Sequence, residues 1–281
     1  MDHTVIGSSP TPSPTPTLSP SAGAAGRRAW VEQIMGMPIS IHLRGSGLRR
    51  PADGENGVAA AIADTFAVLR EVEDRFSTYS PDSEISRMAR GELTARDAHP
   101  QVRDVIRLCE QARERTEGWF DARRPDGTGG STFDPTGLVK GWAVQRACSA
   151  LASRLPEHDV LVNAGGDIAV WCAREDGEPW HLAIENPLDR TALLARLDLR
   201  TGGLATSGTA ARGAHIYSPA TGSAATELAS VSVIGPSLMW ADVYATAAFA
   251  RGPAAVGWLR TLEHHAWLVV DLDGTTTSSG G

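Results

Sequence analysis

Asp242 and Thr246 stand four residues apart in a segment, from about Ser237 to Ala250, whose composition predicts a helix ended by Gly252-Pro253. At that spacing both side chains project from one face. A carboxylate and a hydroxyl are hard oxygen ligands of the kind Mg²⁺ takes, alongside waters and substrate phosphate oxygens. The pair also has a purely structural explanation. Asp complements the positive N-terminal part of a helix, and Thr bonds back to a carbonyl of the preceding turn. A second candidate is the run from Asp134 to Gly141, Asp-Pro-Thr-Gly-Leu-Val-Lys-Gly. Asp at the N-cap and Pro at the first helical position predict a helix start, whose unpartnered amides suit an anion. Lys140, the only lysine in the chain, would sit one turn in. The P-loop spacing is absent, and a solvated lysine on a capped helix would give the same pattern.

Gly165-Gly166 follows the apolar run Val160 to Val162. Paired glycines let a backbone pass close to a ligand, and they equally make a tight type I′ turn. The Gly-x-Gly-x-x-Gly signature of a dinucleotide fold is missing. His215 lies between Thr206-Ser207-Gly208 and Tyr217-Ser218-Pro219-Ala220-Thr221-Gly222. A histidine there is either a general base working near neutral pH or a polar loop residue. No G-x-S-x-G elbow or Ser/His/Asp set accompanies it. The three cysteines, Cys109, Cys148 and Cys172, are odd in number and far apart, which argues against a disulfide framework or a zinc site. Cys109 and Cys148 fall on apolar faces of predicted helices, as core filler.

These residues need elements to hold them. Ile39, Ile41 and Leu43 alternate with polar residues, predicting a half-buried strand. Val58, Ile62, Phe66, Leu69, Val72 and Phe76 recur at helical spacing, and Pro100 to Thr116 reads as a second amphipathic helix. Arg123 to Thr132 reads as a Gly-rich loop, and a third helix opens at Asp134. Val160 to Val162 and Ile168 to Trp171 flank the glycine pair as a hairpin. Further strands are expected at Trp180 to Glu185, Ala195 to Leu199, Leu228 to Ile234 and Trp267 to Leu272, with a short helix from Ala254 to Leu262. The pattern predicts a single α+β (α/β-like) domain with mixed antiparallel sheets and flanking helices.

At 281 residues, 42% of them apolar, the chain can bury a sizeable core. A net charge of −7 excludes a global positive field for nucleic acid. No apolar run reaches the length of a membrane span. The Pro/Ser/Thr-rich N-terminus lacks the layout of a signal peptide, so a cytoplasmic location is expected, or export if a native leader has been removed. The expected division is a disordered segment over 1–29, a folded domain over 30–273 and a loose tail over 274–281.

Taken in order, Met35-Gly36-Met37, Phe76-Ser77-Thr78-Tyr79 with Asp82-Ser83, Gly118-Trp119-Phe120-Asp121, Asp134 to Gly141, Val162 to Asp167, Thr206-Ser207-Gly208, His215 to Gly222 and Ala241 to Ala247 resemble the FAD:protein FMN transferase (ApbE) family. The resemblance spans roughly Trp30 to Leu272. It implies FAD in a central cleft and Mg²⁺ at the FAD diphosphate, held by Asp242, Thr246 and backbone oxygens of Gly137 and Ala245. FAD contacts would come from Met35, Tyr79, Trp119, Phe120, Asp121, Asp134, Lys140 and Ile216, with Gly165 and Gly166 passing close to the flavin nucleotide. His215 matches the proton acceptor, and Asp242 is the other catalytic position. The implied activity is Mg²⁺-dependent transfer of FMN from FAD to a Ser/Thr hydroxyl of an acceptor redox protein, releasing AMP. FAD hydrolysis to FMN and AMP, or FAD binding without catalysis, are the alternatives. Two features depart from the family: Ser218 stands where an Asp commonly precedes the Pro, and the loop between Asp121 and Phe133 is short.

Overall fold

The structure is a computed structural model that describes residues 26–46, 48, 55–125, 130–209 and 216–280. Its frame is one eight-stranded sheet in the order β1-β2-β5-β6-β9-β12-β13-β14. These strands are Gly26–Ile34, Met37–Gly45, Asp159–Ala164, Asp167–Trp171, Thr201–Gly208, Leu228–Gly235, Ala266–Asp271 and Thr276–Ser278. Every pairing in it is antiparallel. The period-two pattern of strand side chains divides the sheet into two faces. Ile39, Ile41, Leu43, Val160, Val162, Val231 and Val233 point to one side and belong to the main core. Leu161, Val170 and Leu204 point to the other.

The first face is covered by helices α1 (Glu55–Phe76), α4 (Thr136–Arg154) and α5 (Leu238–Arg251). The predicted stripe on α1 is buried at Ile62, Phe66, Leu69, Val72 and Phe76. Helix α5 is buried nearly all round, from Leu238 to Ala250. Such a helix belongs in the interior between layers. The remaining helices, α2 (Glu84–Ala89), α3 (Pro100–Arg115) and α6 (Ala255–Leu259), close the periphery. Against the second face lies a separate hairpin, β7 (Trp180–Asn186) with β8 (Asp189–Leu199). It buries Trp180, Leu182 and Ile184 on Leu161, Val170 and Leu204. Two short hairpins complete the chain: β3 (Arg123–Pro125) with β4 (Ser131–Phe133), and β10 (Tyr217–Ser218) with β11 (Ser223–Ala224).

The α+β architecture is as expected, with local corrections. Strand β1 starts at Gly26, ahead of the expected boundary near Trp30, because its backbone pairs with β2 from Gly26↔Gly45 onward. The tail is not loose throughout. Thr276–Ser278 pairs with β13, and Trp267 N–H donates to Ser279 Oγ at 3.1 Å. Neither residues 26–29 nor residues 276–278 carry a strong apolar pattern, and both join the sheet through backbone pairing. The N-cap position of α4 falls on Pro135, which makes no side-chain cap. Asp134 stands one residue earlier and accepts from Thr136 N–H at 3.1 Å and Oγ1 at 2.6 Å. Part of the Gly-rich loop is the β3–β4 hairpin, and residues 126–129 lie outside the described residues.

Cys109 and Cys148 are buried as expected. Burial pushes both thiols up to about 12, with nearby carboxylates adding to the shift at Cys109. The half-buried Cys172 is also raised, mainly by burial. The thiolate is the reactive form, and a raised pKa leaves little of it at pH 8. Titration of the native chain with a disulfide reagent at pH 8 should therefore modify Cys172 slowly and leave Cys109 and Cys148 untouched until denaturant is added. Fast labelling of all three thiols in the native state would contradict the described core.

Candidate functional site

Helix α4 crosses α5 at Gly141. A Cβ there would meet Asp242 Oδ2 at 3.0 Å, Asp242 Cβ at 3.1 Å and the Met239 backbone at 3.1 Å. The absent side chain is what lets the two helices approach this closely. One turn on, Gln145 Oε1 accepts from Ser237 Oγ at 2.7 Å and from Met239 N–H at 3.1 Å. Ser237 Oγ in turn caps α5 by accepting from Trp240 N–H at 3.3 Å. The register between α4 and α5 is thereby fixed, and Lys140 and Asp242 are set side by side.

Lys140 Nζ pairs with the carboxylate of Asp167 and lies 3.6 Å from Asp242 Oδ1. Both acids are buried, at 2% and 3% exposure. Asp167 opens β6, and its Oδ1 also accepts from Thr206 N–H on β9 at 3.1 Å. One turn along α5 from Asp242, Thr246 Oγ1 lies 3.1 Å from Ser207 Oγ. The spacing argument for Asp242 and Thr246 is met, since both line the same cavity.

That cavity has a volume of about 460 Å³ and opens at one end of the sheet, between the helix layer and the β7–β8 hairpin. One wall is the β5–β6 turn, where Gly165 and Gly166 take φ of +61° and +102°. These values fit the type I′ turn expected of paired glycines. A Cβ at Gly166 would meet nothing, so its backbone is open toward the cavity. Asn163 Oδ1 steadies the turn by accepting from Gly166 N–H at 2.9 Å. Trp119, Phe120, Ile216 and Tyr217 supply rings and apolar surface, while Asp121, Asp134, Gly137 and Arg124 form the side where α4 begins. Asp134 is held by Arg124 at 3.0 Å, and Asp121 by Arg113 at 3.1 Å. Ile184, Asn186, Pro187 and Arg190 close the opposite side from the hairpin.

Of the sequence-derived candidates, Trp119, Phe120, Asp121, Asp134, Gly137, Lys140, Gly165, Gly166, Ile216, Asp242 and Thr246 all line this one cavity. Three do not. Tyr79 is 96% exposed on the turn before α2 and does not line the cavity. Ala245, expected to offer a backbone oxygen, lies in the interior of α5 with its side chain buried and does not line the cavity. Met35, at φ +56°, forms the β1–β2 turn and packs on the core. Its neighbour Met37 meets the glycine turn, lying 3.3 Å from where a Gly165 Cβ would be. His215 lies outside the described residues. Ser218, at the departure from the family pattern, is buried in β10.

Sequence reasoning missed Asp167. An acid after two glycines reads as turn filler, and only its 2% exposure marks it otherwise. The signal that would have found it is the single lysine, since a lysine aimed inward needs an acidic partner.

The donor set fits a magnesium ion. Among the described residues, no group of three or more His, Cys, Asp or Glu is arranged to hold a metal. Any cation here would use the Asp242 carboxylate, hydroxyl oxygens of Thr246 and Ser207, backbone oxygen, and ligands from substrate and water. Mg²⁺ binds through one or two carboxylates plus phosphates in just this manner.

The fold and the cleft thus define an α+β protein whose sheet end gathers oxygen ligands, an ammonium and a glycine turn around a cavity of ligand size. Residues 35–124 and 126–268 match the profile of the ApbE family, and the chain belongs to that family. It is 28% identical over 239 residues to the FAD:protein FMN transferase of Vibrio cholerae, covering 66% of this chain and 71% of that protein. To the FAD:protein FMN transferase of Klebsiella pneumoniae it is 35% identical over 103 residues, which span 33% of this chain and 29% of that protein. The fold matches the flavinyl transferase ApbE of Pseudomonas stutzeri with a TM-score of 0.75 at 22% identity, over 92% of this chain and 96% of that one. The ApbE protein of Thermotoga maritima gives 0.75 at 18% identity, over 90% and 97%.

Replacing Gly141 by Ala should force α4 and α5 apart and cost about 1–3 kcal/mol of stability, the usual range for an overpacked contact. Urea denaturation of the variant checks this, with a lowered midpoint and an unchanged slope expected. An unshifted midpoint would mean that the helices are not in contact at Gly141.

Proposed function

We propose that the chain transfers the FMN portion of FAD to a Ser or Thr hydroxyl of an acceptor redox protein, with Mg²⁺, releasing AMP. The observation that carries this reading is the convergence of Lys140, Asp242, Thr246 and the Gly165–Gly166 turn in one cavity with Trp119, Phe120 and Ile216. Rings and apolar surface suit an isoalloxazine or adenine. Exposed backbone and an ammonium suit a diphosphate. The names borne by the relatives agree with this assignment.

Asp242, Thr246 and the backbone at Gly137 would hold the Mg²⁺, which when bound neutralises charge on the diphosphate and on the departing phosphate. The protein's own contribution is positional. Lys140 faces the diphosphate, and Gly166 lets the chain lie against it without a side chain between. The acceptor hydroxyl oxygen forms a bond to the FMN phosphorus as the bond from that phosphorus to the AMP oxygen breaks. The hydroxyl proton goes to a base, for which His215 is the candidate by its resemblance to the family's proton acceptor. AMP leaves with the electron pair of the broken bond.

Incubation with FAD, Mg²⁺ and a candidate acceptor, followed by intact-mass measurement, should show an adduct of FMN less water on the acceptor and AMP in solution. Free FMN with no adduct would point instead to hydrolysis, and retained FAD with no AMP to simple binding. Asp242→Ala should lower the transfer rate about 100-fold or more, the scale of a lost electrostatic contact at a reacting centre. Circular dichroism would confirm its fold. Transfer at the parental rate would remove Asp242 from the mechanism.

A further inference from the structure

Among the described residues, three cationic side chains line the cleft: Arg124, Lys140 and Arg190. Each is paired with an acid, and the pairs differ in exposure. Lys140 with Asp167 is mostly buried, and Arg124 with Asp134 is partly so. Arg190 and Glu185 stand in solvent, at 69% and 58% side-chain exposure. Nε and Nη2 of Arg190 both donate to the same Glu185 oxygen, each at a long 3.3 Å. An exposed ion pair contributes little, so of the three this is the one an incoming anion displaces at least cost.

The hairpin is built to put that guanidinium at the opening. The β7–β8 ladder slips twice, pairing Ile184 with Ala195, Glu185 with Leu193 and Asn186 with Asp189. Residues 190–192 are therefore left without partners on β7, and a bulge of this kind re-aims side chains. Turn contacts hold the backbone on both sides. Asn186 Oδ1 accepts from Leu188 N–H at 3.0 Å, and Asp189 Oδ1 accepts from Thr191 N–H at 3.0 Å. The tip is fixed, while the Arg190 side chain is tied down only through Glu185 among the described residues.

A guanidinium presents a fork of N–H donors that matches two oxygens of one phosphate. We propose that Arg190 is a phosphate-binding residue at the mouth of the cleft, parked on Glu185 until the phosphate of AMP displaces that carboxylate. This rests on the reading of the cleft as a nucleotide site. The exchange is ionic and changes no covalent bond. A phosphate monoester carries about −1.5 to −2 charges near neutral pH, more than either phosphate within a dinucleotide, so the departing AMP is the stronger competitor for the fork. Glu185 then retakes the guanidinium and lets AMP go.

The test is calorimetric titration of the full chain with AMP and, separately, with adenosine, at fixed ionic strength with Mg²⁺ present. Arg190→Gln should weaken AMP binding about tenfold or more, the scale of one lost hydrogen bond to a charged group, and leave adenosine unchanged. Glu185→Gln should tighten AMP binding several-fold, and that gain should vanish when Arg190→Gln is added. Both side chains stand largely in solvent, so neither exchange disturbs the core. The proposal fails if Arg190→Gln binds AMP like the parent, if it weakens AMP and adenosine alike, or if the Glu185→Gln gain persists without Arg190. It also fails if the parent quenches FAD fluorescence on binding but takes up no AMP. A parent that binds neither FAD nor AMP would instead overturn the nucleotide reading on which the inference stands.

Discussion

The site depends on one ammonium shared unequally between two buried acids. Removing a carboxylate from water is costly unless a cation or hydrogen-bond donors compensate, and here one lysine serves two. Asp167 comes from the sheet, Asp242 from α5 and Lys140 from α4. The three can meet only where those elements converge. That requirement explains features that would otherwise look unrelated: the bare Gly141 at the helix crossing, the Gln145 bridge to the start of α5, and the Thr206 amide that steadies Asp167. Each sets the distance between charges by a contact that carries no charge itself.

The layers around this cluster differ in how they could be foreseen. Strand β2 and helices α1 and α3 announce themselves by apolar period, because each buries one face, while β5, β12 and α5 announce themselves by apolar runs, because they are buried nearly all round. Strand β1 and the short β14 do not. Strand β1 buries Ile34 and packs Trp30 on the core, but its first residues, Gly26-Arg27-Arg28, give no apolar signal and join through the ladder with β2. The same holds for residues 276–278, which are threonine and serine joined to β13. A sequence read by hydrophobic pattern sees segments that bury side chains and overlooks those, such as 26–28 and 276–278, that chiefly satisfy backbone.

The cleft was legible for a different reason. No single spacing distinguished Asp242 and Thr246 from an ordinary polar pair on a helix, nor Gly165-Gly166 from an ordinary turn. Their order along the chain did so, and the fold draws those separated segments to one sheet end. Residues that act through a neighbour stayed hidden. Asp167 looks like part of a turn until its burial is known, and Gln145 is one more polar residue on α4 until it is seen spanning to α5. Tyr79 shows the opposite failure: it belongs to a recognisable motif, yet its ring stands in solvent.

The β7–β8 hairpin, like the shorter β3–β4 and β10–β11 hairpins that also border the cleft, stands apart from the large sheet. It contributes no strand to the large sheet and adheres through Trp180, Leu182 and Ile184, while its tip residues Asn186, Pro187 and Arg190 border the opening. The floor and the rim are therefore separate modules. Grafting a different tip between Ile184 and Leu193 would alter the shape and charge of the entrance while leaving the acids and lysine beneath it untouched, which makes this loop the natural place to re-engineer what the protein admits.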